Sequence, residues 1–301
     1  MRVAVTGGCG FIGSHVVDHL VRAGHDVRVI DKAGQWRNPD AEYLAADIFD
    51  AEALGAAVQG TDAIFHLAGA ADVNDVAADP AWAVRLNVEG VARILDATRR
   101  HGIARVLLAS TVWVYGATVG DGERTEDALV DLRRAGHVYV STKLAAELLM
   151  HSYQEMYGQE FTILRYGIPY GPRMRDALVV ARFVRAALDG QPITISGTGD
   201  QQRNYVYVED LADAHVRALA PAAANQTLAL EGGTPVSVRE IADTVRSLVA
   251  PVPVEHVPAR NADYEGATIS NRLAKELLGW SPVTSFAEGV RRYLTWLGEG
   301  T

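Results

Sequence analysis

The segment Thr6-Gly7-Gly8-Cys9-Gly10-Phe11-Ile12-Gly13 decides how the rest of the chain is read. The apolar run Val3-Ala4-Val5 precedes it, and Ile12, Val16, Val17 and Leu20 follow at the spacing of one helix face. Strand, glycine turn and helix open a βαβ unit. Gly8, Gly10 and Gly13 carry the dinucleotide-fingerprint spacing, and Gly7, Gly10 and Gly13 add a second set three apart. Glycine permits the tight turn and lets backbone N–H groups close on a pyrophosphate at the helix N-terminus. The predicted cofactor turn comprises Gly7, Gly10, Phe11, Ile12 and Gly13, with Cys9 filling a small loop position.

Working outward, Gly24 ends the helix and Asp26-Val27-Arg28-Val29-Ile30-Asp31 reads as a second strand. Asp31 falls about 20 residues beyond the glycines, where an acid takes both ribose hydroxyls and repels a 2′-phosphate. NAD is therefore expected rather than NADP, with Arg37 as the nearby counter-argument. Further strands are expected at 43–48, 63–69, 105–110 and 161–165, and helices at 80–101, from Pro80, and 138–157. This alternation predicts an α/β, Rossmann-like, doubly wound parallel sheet over 1–165, with ligands at the carboxyl ends of the strands. After residue 165 prolines and glycines punctuate shorter segments, with helices expected at 176–189, 209–220, 237–249, 272–278 and 285–297. Residues 166–301 are read as a smaller C-terminal substrate lobe interleaved with the first domain. Residues 117–136 are read as a flexible loop beside the site.

Composition narrows the function. The chain has 301 residues and a formal net charge of −9, which argues against non-specific nucleic-acid binding. The single cysteine rules out an internal disulfide and a cysteine-rich metal site, and fits a reducing cytoplasm. No metal site is expected, since no histidine pair or carboxylate cluster has metal spacing. No apolar run approaches ~20 residues, so no membrane span is expected, and the chain opens on a strand without room for a signal peptide.

The chemistry is expected at Val138-Tyr139-Val140-Ser141-Thr142-Lys143. Tyr139 and Lys143 share a helix face four residues apart, and an ammonium beside a phenol favours the phenolate, a general base. Bringing a tyrosine from ~10 to neutrality takes about 3 units, roughly 4 kcal/mol, so a positively charged nicotinamide would have to assist Lys143. Thr111 lies at the end of the fifth strand. His66 also lies near a strand end and is read as a packed histidine.

With these pieces placed, the chain resembles the extended short-chain dehydrogenase/reductase family, in particular its nucleotide-sugar epimerases and dehydratases. The resemblance covers nearly the whole length. It implies that Tyr139 and Lys143 are the catalytic pair and Thr111, four residues before Tyr115, the catalytic hydroxyl. It implies that Asp47-Ile48 contacts adenine, that Leu67, Ala68 and Gly69 pass the cofactor diphosphate, and that Asn87 is the asparagine of the long helix. Arg203, within Gly197-Thr198-Gly199-Asp200-Gln201-Gln202-Arg203-Asn204-Tyr205-Val206-Tyr207-Val208-Glu209-Asp210, and Arg260, three before Asp263, are implied to meet the ligand's diphosphate. Trp113 is read as an apolar wall against the sugar ring or as a core residue. Leu278-Gly279-Trp280-Ser281-Pro282 matches a C-terminal signature. A homodimer is expected through 80–101 and 138–157, where Val84, Val88, Val91, Leu144 and Leu148 either form the surface or are core positions.

Two departures stand out. Ile168 replaces an asparagine that touches the diphosphate in the family, and Arg133 and Arg134 stand in the loop before Tyr139, read as solvated charges or as contacts to an acidic sugar. The expected activity is NAD-dependent 4-epimerisation of a nucleotide sugar through a transient 4-keto sugar. Alternatives are a reductase or dehydrogenase, a 4,6-dehydratase and a decarboxylase; of a different class, a non-catalytic NAD-sensing regulator. Dehydratases of the family follow their threonine with Asp-Glu and decarboxylases carry a Glu two residues on, whereas Val112 and Trp113 stand here.

Overall fold

The computed structural model describes residues 1–32, 34–119, 122–258 and 268–299. Seven parallel strands form its centre: β1 (Arg2–Thr6), β2 (Asp26–Asp31), β3 (Glu42–Ala45), β4 (Ala63–His66), β5 (Arg105–Thr111), β6 (Glu160–Tyr166) and, after three strands of the lobe, β10 (Gln226–Leu230). The spatial order is β10-β6-β5-β4-β1-β2-β3. The order reverses between β1 and β4, and in such sheets the crevice at the reversal takes the ligand. The expected sheet is present, with corrected bounds: the third and fourth strands stop at Ala45 and His66 rather than at residues 48 and 69. From Leu67 the chain leaves the ladder beside the glycine turn.

Both faces of the sheet are covered, so β1 is buried along Val3, Ala4 and Val5 rather than alternating. Helices Phe11–Arg22, Val208–Arg217 and Arg272–Leu278 pack Val16, Leu20, Leu211 and Leu278 against one face. Helices Ala51–Val58, Gly90–His101 and Val138–Tyr157 pack Leu54, Ile94, Leu95 and Met150 against the other. The helix expected at 80–101 is a composite: Pro80–Val84, one π-helical turn Arg85–Glu89, then Gly90–His101. π turns bulge a helix and turn a side chain inward; here the π turn contains the buried Asn87.

The lobe holds β7 (Ile168–Tyr170), β8 (Ile193–Ser196), β9 (Gln202–Tyr207), β11 (Pro235–Ser237) and β12 (Val254–Val257). They form a three-stranded sheet β11-β9-β7 and a pair β12-β8. Helices Val179–Leu188, Val238–Leu248 and Phe286–Glu299 close a second core with Tyr170, Tyr205 and Tyr207. Trp280, 1% exposed, donates its indole N–H to the Asp210 carbonyl at 2.8 Å and so ties the C-terminal signature to the helix on the large sheet. Among the described residues no helix is long and apolar enough to cross a membrane.

Candidate active site

Helix Val138–Tyr157 starts at His137, whose Nδ1 accepts the Tyr139 N–H at 3.0 Å, and ends on Gly158 in the left-handed region. Its first two turns put Tyr139 and Lys143 on one face, both buried. Thr111 closes β5 and caps the short 3-10 helix Val112–Ala117: its Oγ1 accepts the Trp113 N–H at 3.2 Å. Its hydroxyl lies beside the Tyr139 phenol, close enough to favour the phenolate. Trp113 stands edge-on to the Tyr139 ring, centroids 6.2 Å apart.

Burial dominates the electrostatics. It pushes the Tyr139 phenol up to about 12, and the Thr111 hydroxyl works in the opposite direction. It pushes the Lys143 ammonium down to about 8, against the pull of Glu147. The expectation that Lys143 itself depresses the phenol is not met here. Its Nζ lies 6.0 Å from the ring centroid and donates to the Ala109 carbonyl at 3.0 Å. Turning the phenol into a base therefore requires further positive charge beside it.

A cradle lies at the sheet's reversal. Gly7 has φ +71°, and a Cβ there would come within 2.7 Å of the Ala68 amide nitrogen; one on Gly13 would meet the Gly7 carbonyl oxygen at 2.2 Å. Gly10 caps helix Phe11–Arg22 with no side-chain hydrogen bond, so the first N–H groups are left to an outside acceptor. Asp31, at the end of β2, accepts from the Cys9 and Lys32 N–H groups. Asp47 pairs with Lys32 at 3.4 Å, and Ile48 is buried against Gly90. These residues fit a dinucleotide: the backbone is open for a pyrophosphate and a carboxylate stands where a ribose would lie. Leu67, Ala68 and Gly69 form the facing wall. Gly69 is held close, since a Cβ on it would lie 3.0 Å from Asn87 Oδ1 and 3.6 Å from Lys143 Nζ.

The model of the NAD dependent epimerase/dehydratase family matches residues 3–229. The UDP-glucose 4-epimerase of Mycolicibacterium smegmatis is 34% identical over 306 residues, covering 97% of each chain. UDP-glucuronic acid decarboxylase 1 of Danio rerio is 31% identical, covering 97% of this chain and 71% of that protein. The crystal structure of a Thermotoga maritima UDP-glucose 4-epimerase with UDP-glucose superposes with a TM-score of 0.91 at 29% identity, covering 100% and 99% of the two chains. The chain belongs to the NAD dependent epimerase/dehydratase family.

Within this epimerase/dehydratase fold, the sequence reading missed Glu147 and Ser110 and named Asn87 and His66 without their partners. Glu147 lies four residues beyond Lys143 on the same face and takes both Nε and Nη2 of Arg165, at 3.1 and 2.7 Å, in a buried pair. Ser110 donates to the same carboxylate. The spacing from Lys143 was legible; the partner on β6 was not. Asn87 accepts the Ala70 N–H at 2.7 Å and donates to the Ala70 carbonyl and to Thr142 Oγ1, both at 3.0 Å. It thereby couples the loop after β4 to the Tyr139 helix. His66 Nδ1 meets Thr6 Oγ1 at 2.7 Å, whereas its buried Nε2 has no partner among the described residues. Burial, reinforced by Lys143, drives His66 down to about 3, so it is neutral.

Other expected residues are placed as follows. Arg203 stands on β9 and donates to the Gln202 carbonyl at 2.6 Å. Arg260 and Asp263 lie outside the described residues, as does Gly120 of the 117–136 loop. Arg133 is exposed and paired with Asp131, and Arg134 shares that partner. Glu126 is held by the Ala229 N–H at 2.9 Å. Among the described residues no group of three acidic, histidine or cysteine side chains is placed to hold a metal.

Proposed function

We propose that this protein is a 4-epimerase of nucleotide-diphosphate sugars that uses NAD. The observation that carries the reading is the buried Tyr139 phenol with the Thr111 hydroxyl beside it and Lys143 one turn on, Thr111 being followed by Val112 and Trp113, which have no acid or base function. In this reading Gly7, Gly10, Phe11, Ile12, Gly13, Asp31, Asp47, Ile48, Leu67, Ala68 and Gly69 hold the cofactor. When bound, NAD supplies the oxidant that accepts hydrogen from the sugar and returns it, and positive charge near Tyr139. Tyr139 takes the proton from the C4 hydroxyl and gives it back. Thr111 donates to the reacting oxygen, and Lys143 holds the nicotinamide ribose. Asn87 positions Gly69 and the Tyr139 helix. Trp113 walls the sugar ring, and Arg203 with Arg260 meets the diphosphate.

Loss of water or of carbon dioxide from a 4-keto sugar needs a further acid or base near C5 and C6. The neighbours of Thr111 offer none, and Glu126 is engaged elsewhere. Purified protein incubated with NAD and UDP-, dTDP- or GDP-sugars should give a product of unchanged mass with inverted C4 and no net NADH. A product lighter by one water or one carbon dioxide would contradict the reading. The intact Thr111, Tyr139 and Lys143 argue against a pure NAD sensor, which would form no product.

Asp31 leads to the expectation that NAD binds at least about tenfold more tightly than NADP, since a 2′-phosphate would sit against its carboxylate. Titration of both nucleotides checks this, and equal affinities would remove Asp31 from the ribose. A homodimer through the long helices is also proposed. Val91 and Leu144 are core residues, one of the two placements expected for them, whereas Trp82, Val84 and Leu148 are exposed on those helices. Light scattering at micromolar concentration should report a dimer, and a monomer would count against it.

A further inference from the structure

Glu231 is a buried carboxyl, 4% exposed, that the chemistry above leaves unused. It follows β10 directly. Leu230 is in register with Tyr166 on β6, and Tyr166 with Thr111 on β5, so Glu231 emerges from the same sheet edge as Thr111, two strands away. Asn271 clamps its backbone: Oδ1 accepts the Glu231 N–H at 2.8 Å and Nδ2 donates to its carbonyl at 2.9 Å. The side chain folds over Gly167. A Cβ on Gly167 would lie 2.3 Å from Glu231 Oε2 and 3.3 Å from the Asn204 carbonyl oxygen. The carboxyl thus fills the gap between the end of β6 and the part of β9 that carries Arg203, and only glycine at 167 leaves room for it. Oε2 accepts one long hydrogen bond, from Gly232 N–H at 3.3 Å, and Oε1 meets no donor among the described residues.

The turn at Gly167 and Glu231 thus joins the end of the large sheet, where Thr111 stands, to the strand that carries Arg203. We propose that Glu231 is a ligand contact whose protonated carboxyl donates a hydrogen bond, through its O–H, to an anionic oxygen of the ligand's diphosphate. The proposal rests on the nucleotide-sugar reading. Burial pushes the Glu231 carboxyl up to about 8, so it is a neutral donor at neutral pH, and a nearby anion favours that form further. Among the described residues, the charged and titratable groups on the segments packed around it are Arg165, Tyr166, Arg203, Tyr205, Arg272 and Glu126, the last held by the Ala229 N–H. Arg165 is taken by Glu147, Tyr166 by His215 at 2.6 Å, and Arg272 by Glu276 at 4.0 Å. Arg203 donates to Gln202, and Tyr205 packs on Tyr170 and Phe286. None of these groups contributes to raising the Glu231 carboxyl; the rise is due to burial.

The test is equilibrium binding of UDP-glucose and of UDP to the NAD-loaded protein between about pH 6.5 and 9. Above about pH 8 the wild-type affinity should fall by up to about tenfold per unit, as the donor becomes a repelling carboxylate. Glu231→Gln keeps the shape and a donor but does not titrate, so its curve should lack that fall. Lys143 and the ligand titrate alike in both proteins and cancel in the comparison. Glu231→Ala should bind about tenfold more weakly at neutral pH. Superimposable pH curves for wild type and E231Q, or wild-type affinity in E231A, would overturn the contact alone. Failure of the wild type to bind UDP-, dTDP- and GDP-glucose alike would overturn the nucleotide-sugar reading and this contact with it.

Discussion

Replacing Tyr139 by phenylalanine is expected to lower turnover by about 10²- to 10⁴-fold while NAD stays bound. The ring packs on Val76, Ala83 and Trp113, contacts that Phe keeps. The lost oxygen is the one beside the Thr111 hydroxyl. The wild-type rate should rise with pH as the phenolate forms, because the base form is the deprotonated one, and the residual rate of the variant should lack that rise. Steady-state kinetics across pH together with an NAD titration checks both halves. Near-normal kcat in the variant would remove Tyr139 from the mechanism.

The second large effect concerns stability. Glu147→Leu should destabilise the fold by about 3–5 kcal/mol, because it strands the Arg165 guanidinium where only 10% of its side chain is exposed. Arg165 would keep the Glu126 carbonyl at 3.2 Å and its place over the Tyr115 ring, neither of which neutralises its charge. Ser110, on β5 next to Thr111, would lose its partner as well. Glu147→Gln should fall between, keeping the shape and the Ser110 bond without the charge. Denaturant unfolding measures the difference, and a loss below about 1 kcal/mol for the Leu variant would contradict the buried-pair account. Glu147 also opposes the fall of Lys143, so in E147Q the ammonium should titrate below its present value of about 8.

What was legible in the sequence was local. Helix Val138–Tyr157 has the expected bounds because a cap at His137 and a left-handed glycine at Gly158 mark its two ends. The glycine turn and β1 were readable because three glycines, a strand and a helix share one short stretch. β10 was not: Gln226–Leu230 is five residues long, and nothing local says that it returns to β6 from about 60 residues away. Helix Ala51–Val58 was missed because its alanines and Gly55 carry little amphipathic signal, although Asp50 caps it. The π turn at Asn87 is invisible in a periodicity that continues on both sides. At the site the Tyr139 and Lys143 pair could be read from spacing and Thr111 from the resemblance, but the ionisation of the phenol could not, because its burial outweighs the hydroxyl beside it. Glu231 carries no motif; its place over Gly167 exists only once three distant segments have met.

The central claim is oxidation at C4 with return of the same hydrogen to the opposite face. The direct measurement uses a UDP-hexose carrying deuterium at C4, incubated with the NAD-loaded protein in ordinary water. Mass and NMR analysis should find the label still on C4 in a product of inverted configuration. Loss of the label to solvent, or its retention without inversion, would contradict the account.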